Sequence, residues 1–169
     1  SVVAIGADGT LLAGEAAERR SATNPTSAVR EFKRRFGDPA PIVVDGQVFT
    51  PEALMAAQLA DVLERVERSE GSRPVRLVLT HPAAWGPFRL EAMRSMADAS
   101  GVADAVLVPE PVAAAVANRD RLADGALVAV YDLGGGTFDA AVVRCSGAED
   151  TWAVVGTPEG VERLGGADI

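Results

Sequence analysis

The sequence predicts an α/β fold, on three observations. Short β-rich runs alternate with stretches of helical periodicity from one end of the chain to the other. Glycine, proline and Asp-Gly punctuation falls between those runs, where turns belong. Hydrophobic residues make up 48% and charged residues 24% of the 169 positions, the mix of a chain that buries a core.

The elements follow in order. Residues 2–5 are β-rich, and Ala7-Asp8-Gly9-Thr10 reads as a turn returning through Leu11 and Leu12. Residues 15–20 read as a short helix closed by the polar break 21–25. Residues 26–36 are predicted as a second helix, with basic residues in its last turn and Gly37 just past its end. Ile42-Val43-Val44, Asp45-Gly46 and Gln47-Val48-Phe49 spell a tight hairpin, because Asp-Gly accepts positive φ angles. Thr50 can cap the longest helix, and Pro51 sits where its missing N–H costs nothing. Leu54, Leu59, Val62, Leu63 and Val66 then recur at helical spacing to about Ser69. After the break at 71–74 come a strand at 75–80, a helix at 87–100, a strand at 105–108 and a helix at 111–119. Strands at 127–133, 138–143 and 151–155 complete the reading as an α/β chain with a mixed sheet.

Composition excludes several functions. The net charge of −8 argues against wholesale binding to nucleic acid or an anionic membrane, which relies on clustered Lys and Arg. It leaves a nucleotide open, since a few backbone N–H groups can hold a phosphate on an acidic protein. The single cysteine, Cys145, permits neither an internal disulfide nor a cysteine-rich zinc site, which suits a reducing, cytoplasmic setting. Apolar runs break well before the ~18 residues of a membrane span. The start at Ser1 resembles no targeting segment, and both ends read as cuts in a longer protein.

The richest stretch is 128–143. An apolar strand delivers Asp132, Gly134-Gly135-Gly136 turns the chain, and a second strand leaves with Thr137 and Asp139 near its start. Glycines let consecutive N–H groups approach an anion, and Thr137 adds a hydroxyl. Two carboxylates beside a phosphate repel it unless a cation lies between, which implies Mg²⁺ at Asp132 and Asp139. The competing reading is a plain glycine hairpin with a solvated Asp on either side. His81 is read as structural or solvated and Cys145 as structural, and Trp85 and Trp152 as packing residues.

The segment Asp132-Leu-Gly-Gly-Gly-Thr-Phe-Asp139 resembles the second phosphate motif of the 70-kDa heat-shock chaperones (DnaK-like), members of the actin-like ATPase (ribonuclease H-like) fold. Four further segments match in order: Thr23-Asn24-Pro25 with Phe32-Lys33-Arg34, the strand ending in Pro82, Val108-Pro109-Glu110-Pro111, and Leu164-Gly165-Gly166-Ala167-Asp168. The resemblance implies an incomplete first lobe over residues 1–120, a junction at 121–126, and the opening of a second lobe at 127–169. It implies ATP or ADP with Mg²⁺ and possible K⁺ in an inter-lobe cleft, and slow hydrolysis to ADP. Lys33 would position the attacking water, with Glu110, Asp132, Thr137 and Asp139 as the remaining catalytic set. Gly134, Gly135, Gly136, Thr137, Gly165 and Gly166 would hold the nucleotide, and Asp132 and Asp139 the metal. Pro82 would be a switch proline. The implied partners are unfolded polypeptide clients, a J-domain co-chaperone and a nucleotide exchange factor.

Each position also has a plainer reading: Lys33 as a solvated end of a basic helix, Glu110 as a carboxylate favoured by a helix N-terminus, Pro82 as a strand stop. The sequence departs from the family where Ala83-Ala84-Trp85-Gly86-Pro87 replaces an aromatic pair, and where the first phosphate hairpin is missing. These features imply a divergent bacterial member, with residue usage of an actinobacterial kind. The fragment by itself is expected to be inactive. A nucleotide-binding regulatory or scaffold module without turnover, and a sugar kinase of the same fold, are the alternatives.

Overall fold

The computed structural model describes residues 2–102, 104–146, 151–161 and 163–168. The chain is mixed α/β with several small sheets, and it divides into two compact units: Ser1–Leu77 with Phe88–Ala105, and Val78–Pro87 with Val106–Ile169.

In the first unit, β1 (Val2–Ile5) is buried along its whole length and forms the centre of a three-stranded antiparallel sheet. β2 (Leu11–Ala13) flanks it after a turn in which the Asp8 carboxylate accepts from the Thr10 hydroxyl (2.7 Å) and amide (3.1 Å). α1 (Gly14–Thr23) follows. The other flank is β3 (Ala28–Arg30), and here the structure corrects the helix predicted over 26–36. Two short 3₁₀ turns, Pro25–Ser27 and Phe32–Arg35, bracket this strand, and Glu31 between them takes a left-handed φ of 57°. Helical propensity at 28–30 gives way because β1 needs a second partner for its buried N–H and C=O groups.

The predicted hairpin is present as β4 (Ile42–Val44) and β5 (Gln47–Phe49), with Asp45 at φ 48° and Gly46 at φ 77°. α2 (Pro51–Glu70) begins with the expected cap, Thr50 Oγ1 accepting from Ala53 N at 3.1 Å, and ends at Gly71 in the left-handed region. Val3, Ile5, Phe32, Ile42, Val44 and Leu54 close one core. β6 (Arg76–His81) pairs with β7 (Asp104–Pro109), and α3 (Pro87–Ala99) lies between them in the sequence.

In the second unit, α4 (Glu110–Ala117) and a 3₁₀ turn at Arg119–Arg121 lead into β8 (Leu127–Leu133), β9 (Phe138–Ser146) and β10 (Thr151–Val161), an antiparallel sheet ordered β10-β9-β8. β9 runs three residues beyond the predicted end and takes in Cys145, which is buried opposite Trp152. β10 is also longer than predicted. The prediction ends at Val155, yet past Gly156 (φ 75°) and Pro158 the ladder shifts register between Val155 and Glu159 and resumes to Val161. A proline without a donor is tolerated there because β10 is an edge strand with a bulge. Val112 and Ala115 of α4 pack on Val143, with Val130, Trp152 and Val154 around them. Among the described residues, no helix is long and apolar enough to cross a membrane.

Candidate functional site

Alternation along β8 and β9 decides where the two aspartates go. Asp132 and Asp139 are direct partners across the antiparallel ladder, as are Val130 and Ala141, and Val128 and Val143. Directly opposed residues share a face, about 5 Å apart at Cβ. The two carboxylates therefore extend the apolar stripe on which α4 packs. Like charges in that position destabilise a sheet unless something positive stands between or beside them.

Around them the second unit forms a small recess of about 10 Å³, room for about one water-sized occupant. Its walls include Ala83, Ala84, Glu110, Pro111, Asp132 and Asp139. Glu110 enters because it is the first residue of α4, whose apolar face is turned to the sheet. Glu159, beyond the bulge of β10, lines the same recess. Asp132 is exposed, while Asp139 and Glu110 are half-buried.

The glycine segments meet at the end of this sheet. Gly134 N donates to Thr137 O at 2.9 Å and closes the turn between β8 and β9. Gly166 N donates to Gly134 O at 2.9 Å and Ala167 N to Gly135 O at 2.8 Å, so 165–168 lies along the turn as a second layer. That layer has its own clasp, Gly165 N donating to the Asp168 carboxylate at 3.0 Å. The approach requires glycine. A Cβ on Gly165 would stand 2.5 Å from Gly136 N, 2.6 Å from Gly135 C and 2.7 Å from Gly135 O, all of them backbone atoms. Gly135 faces the other way, with nothing within 4 Å of a Cβ placed on it, and is exposed. Among the described residues, the N–H groups of Gly135 and Gly136 have no protein acceptor. Two open donors on a glycine turn are suited to an anion.

Thus the structure brings Glu110, Asp132, Thr137, Asp139, Gly134, Gly135, Gly136, Gly165 and Gly166 into one unit, with Pro82 at the end of β6 in that same unit. Lys33 belongs to the first unit. It is half-buried on the 3₁₀ turn Phe32–Arg35, rather than on the predicted helix, and the buried side chains of Phe32 and Phe36 flank that turn.

Four participants were given no role from sequence. Ala83 and Ala84 carry no chemical signal, and Glu159 lies past the predicted end of its strand. Gly160 could have been found only through pairing: it faces Asp139 across the ladder, and a Cβ there would meet the Asp139 carboxylate at 2.8 Å. Its hydrogen leaves the carboxylate room to lie over β10.

The donor set tests the implied metal. Among the described residues, no three His, Cys, Asp or Glu side chains stand close enough to hold a metal ion alone. Two neighbouring carboxylates do fit Mg²⁺, which keeps much of its water and is usually held by one or two carboxylates together with phosphate oxygens. Asp132 and Asp139 are the residues that could hold it.

Comparison with known proteins gives the family. The model of the Hsp70 protein family matches residues 1–169. The chaperone protein DnaK of Endomicrobium trichonymphae is 36% identical over 170 aligned residues, and so is the chaperone protein DnaK of Elusimicrobium minutum. Each alignment covers 100% of this chain and 27% of the relative, so the chain spans about a quarter of the length of these proteins. The chain belongs to the Hsp70 family, and its fold is that of the family's actin-like ATPase domain.

Proposed function

We propose that this chain is part of the nucleotide-binding domain of a chaperone that binds Mg-ATP and hydrolyses it slowly. One observation carries the reading: a glycine turn with two open N–H groups is locked to a second glycine segment, next to a cross-strand pair of aspartates. In this reading residues 1–120 supply the first lobe, 121–126 the junction and 127–169 the start of the second lobe.

Gly135 and Gly136 donate to phosphate oxygens, with the Thr137 hydroxyl beside them. Gly165 and Gly166 back the turn so that it keeps its shape when charge arrives. Asp132 and Asp139 would hold Mg²⁺, and Asp139 with Thr137 would also serve a monovalent cation, K⁺. Mg²⁺, when bound there, would supply positive charge against the transferring phosphoryl group. Lys33 positions the attacking water, Glu110 fixes the water network, and Pro82 relays the state of the site. Positioning and electrostatics supply most of the catalysis in phosphoryl transfer, so no histidine base is required. Polypeptide clients, a J-domain partner, an exchange factor and a cytoplasmic location belong to the same proposal.

The test is titration calorimetry of MgATP on the full-length protein that carries this chain. Asp139→Asn should abolish or strongly weaken binding, and Lys33→Ala should bind but lose hydrolysis. Absence of binding in the parent overturns the reading and leaves a scaffold of the same fold. Turnover unaffected by Lys33→Ala removes the role given to Lys33.

A further inference from the structure

His81 is the single histidine of the chain and one of its two buried polar side chains among the described residues, at 6% exposure. Its Nδ1 lies 2.9 Å from the carbonyl oxygen of the next residue, Pro82. A carbonyl only accepts, so Nδ1 carries the proton. The same oxygen accepts the backbone N–H of Trp85 at 3.1 Å. The Trp85 ring lies nearly parallel to the imidazole, 18° between planes and 6.4 Å between centroids. Two donors thus converge on one peptide carbonyl while the rings of the two donor residues stack, and the buried Pro82 restricts the backbone at that position. What the turn holds in place is Ala83 and Ala84, the wall of the recess shared with Glu110 and Asp139.

We infer that His81 and Trp85 form a clamp that positions the 82–85 turn, which makes His81 a positioning residue of the nucleotide site, acting through the Pro82 carbonyl. The inference rests on the reading that this recess belongs to an Mg-ATP site. An alternative in which His81 only fills space is answered by chemistry. A space filler can be replaced by any side chain of similar volume, whereas a clamp needs a donor at the Nδ1 position. Asparagine supplies an amide N–H at nearly that point and leucine does not.

The experiment is MgATP titration of the full-length protein as parent, His81→Asn and His81→Leu, followed by calorimetry and by tryptophan emission. The Trp85 contribution is taken as the difference from Trp85→Phe. His81→Leu should bind about three- to tenfold more weakly, the loss expected when one positioning hydrogen bond goes. It should also lose the Trp85 emission change that accompanies MgATP, and His81→Asn should restore both. Should His81→Leu fail to fold, His81→Asn against Trp85→Ala makes the same comparison, with the stack removed in place of the hydrogen bond. Equal binding and equal Trp85 response in parent and His81→Leu overturn the clamp and leave the site reading intact. No MgATP binding in the parent removes the site reading and the clamp together.

Discussion

Substituting Gly165 by alanine tests whether the two glycine segments form one unit. The added methyl would stand 2.5–2.7 Å from three backbone atoms of Gly135 and Gly136, a separation real Cβ atoms essentially never show. No flexible side chain is available to move away. Retaining the contact means overpacking, at about 1–3 kcal/mol. Releasing it loses the hydrogen bonds from Gly166 N to Gly134 O and from Ala167 N to Gly135 O, about 0.5–1.5 kcal/mol each, or about 1–3 kcal/mol together. The two routes cost about the same, so release caps the penalty near 3 kcal/mol and the damage is local. Hydrogen exchange on the full-length protein is the suitable assay. Gly165→Ala should lose protection at the amides of Gly166 and Ala167, and MgATP affinity with it, while strand amides of β9 keep theirs. Gly166→Ala is the control, because its nearest neighbours would lie 3.9–4.0 Å from the new Cβ, an ordinary contact. Equal protection in both variants would refute the close approach and with it the second layer behind the turn.

Further predictions bear on the rest of the chain. Gly160→Ala should displace the Asp139 carboxylate, the flexible partner in a 2.8 Å contact, and weaken MgATP binding while shifting the unfolding midpoint little. Thr50→Ala removes the cap of α2 and should cost about 1 kcal/mol in urea unfolding, with Thr50→Ser close to the parent. The Arg30 guanidinium donates to Glu18 at 2.6 and 3.3 Å and holds its carboxyl below its ordinary value near 4.5. A depressed carboxyl contributes stability that is complete above the ordinary value and lost as pH falls through the folded one. The Tm of the protein should therefore fall on acidification below about pH 4.5, and Glu18→Gln should flatten that dependence.

How much could be read without coordinates depended on whether the deciding interactions were local. The Asp45-Gly46 hairpin, the Thr50-Pro51 start of α2 and the Gly71 stop are set by φ preferences and one hydrogen bond each, all visible in a few residues. Residues 28–30 failed for the opposite reason: their state is set by β1, more than twenty positions away, whose buried edge needs a partner. The glycine turn and its aspartates were legible because three successive glycines between apolar strands have few uses. Their coupling to 165–168 was legible only as two motifs in order. Gly160, Ala83 and Ala84 lacked any signal, since their part is to be small next to Asp139 or to shape a wall.

The position of the site follows from the length of α4. Eight residues of helix cover about 12 Å of sheet. Val112 and Ala115 use that length against Val143 and Val130, and the apolar stripe of β8 and β9 is covered as far as the helix reaches. At the N-terminal end of α4 the cover stops, and there the stripe changes from Val130 and Ala141 to Asp132 and Asp139. Glu110 sits at that same boundary as the first helical residue. A longer helix would have taken the two carboxylates out of water, at a cost of several kcal/mol per charge. A shorter one would have left valines in water. The helix begins where the strand chemistry turns from packing to charge, and the glycines begin directly beyond, so recess, carboxylates and open N–H groups are consequences of one change of pattern along two paired strands.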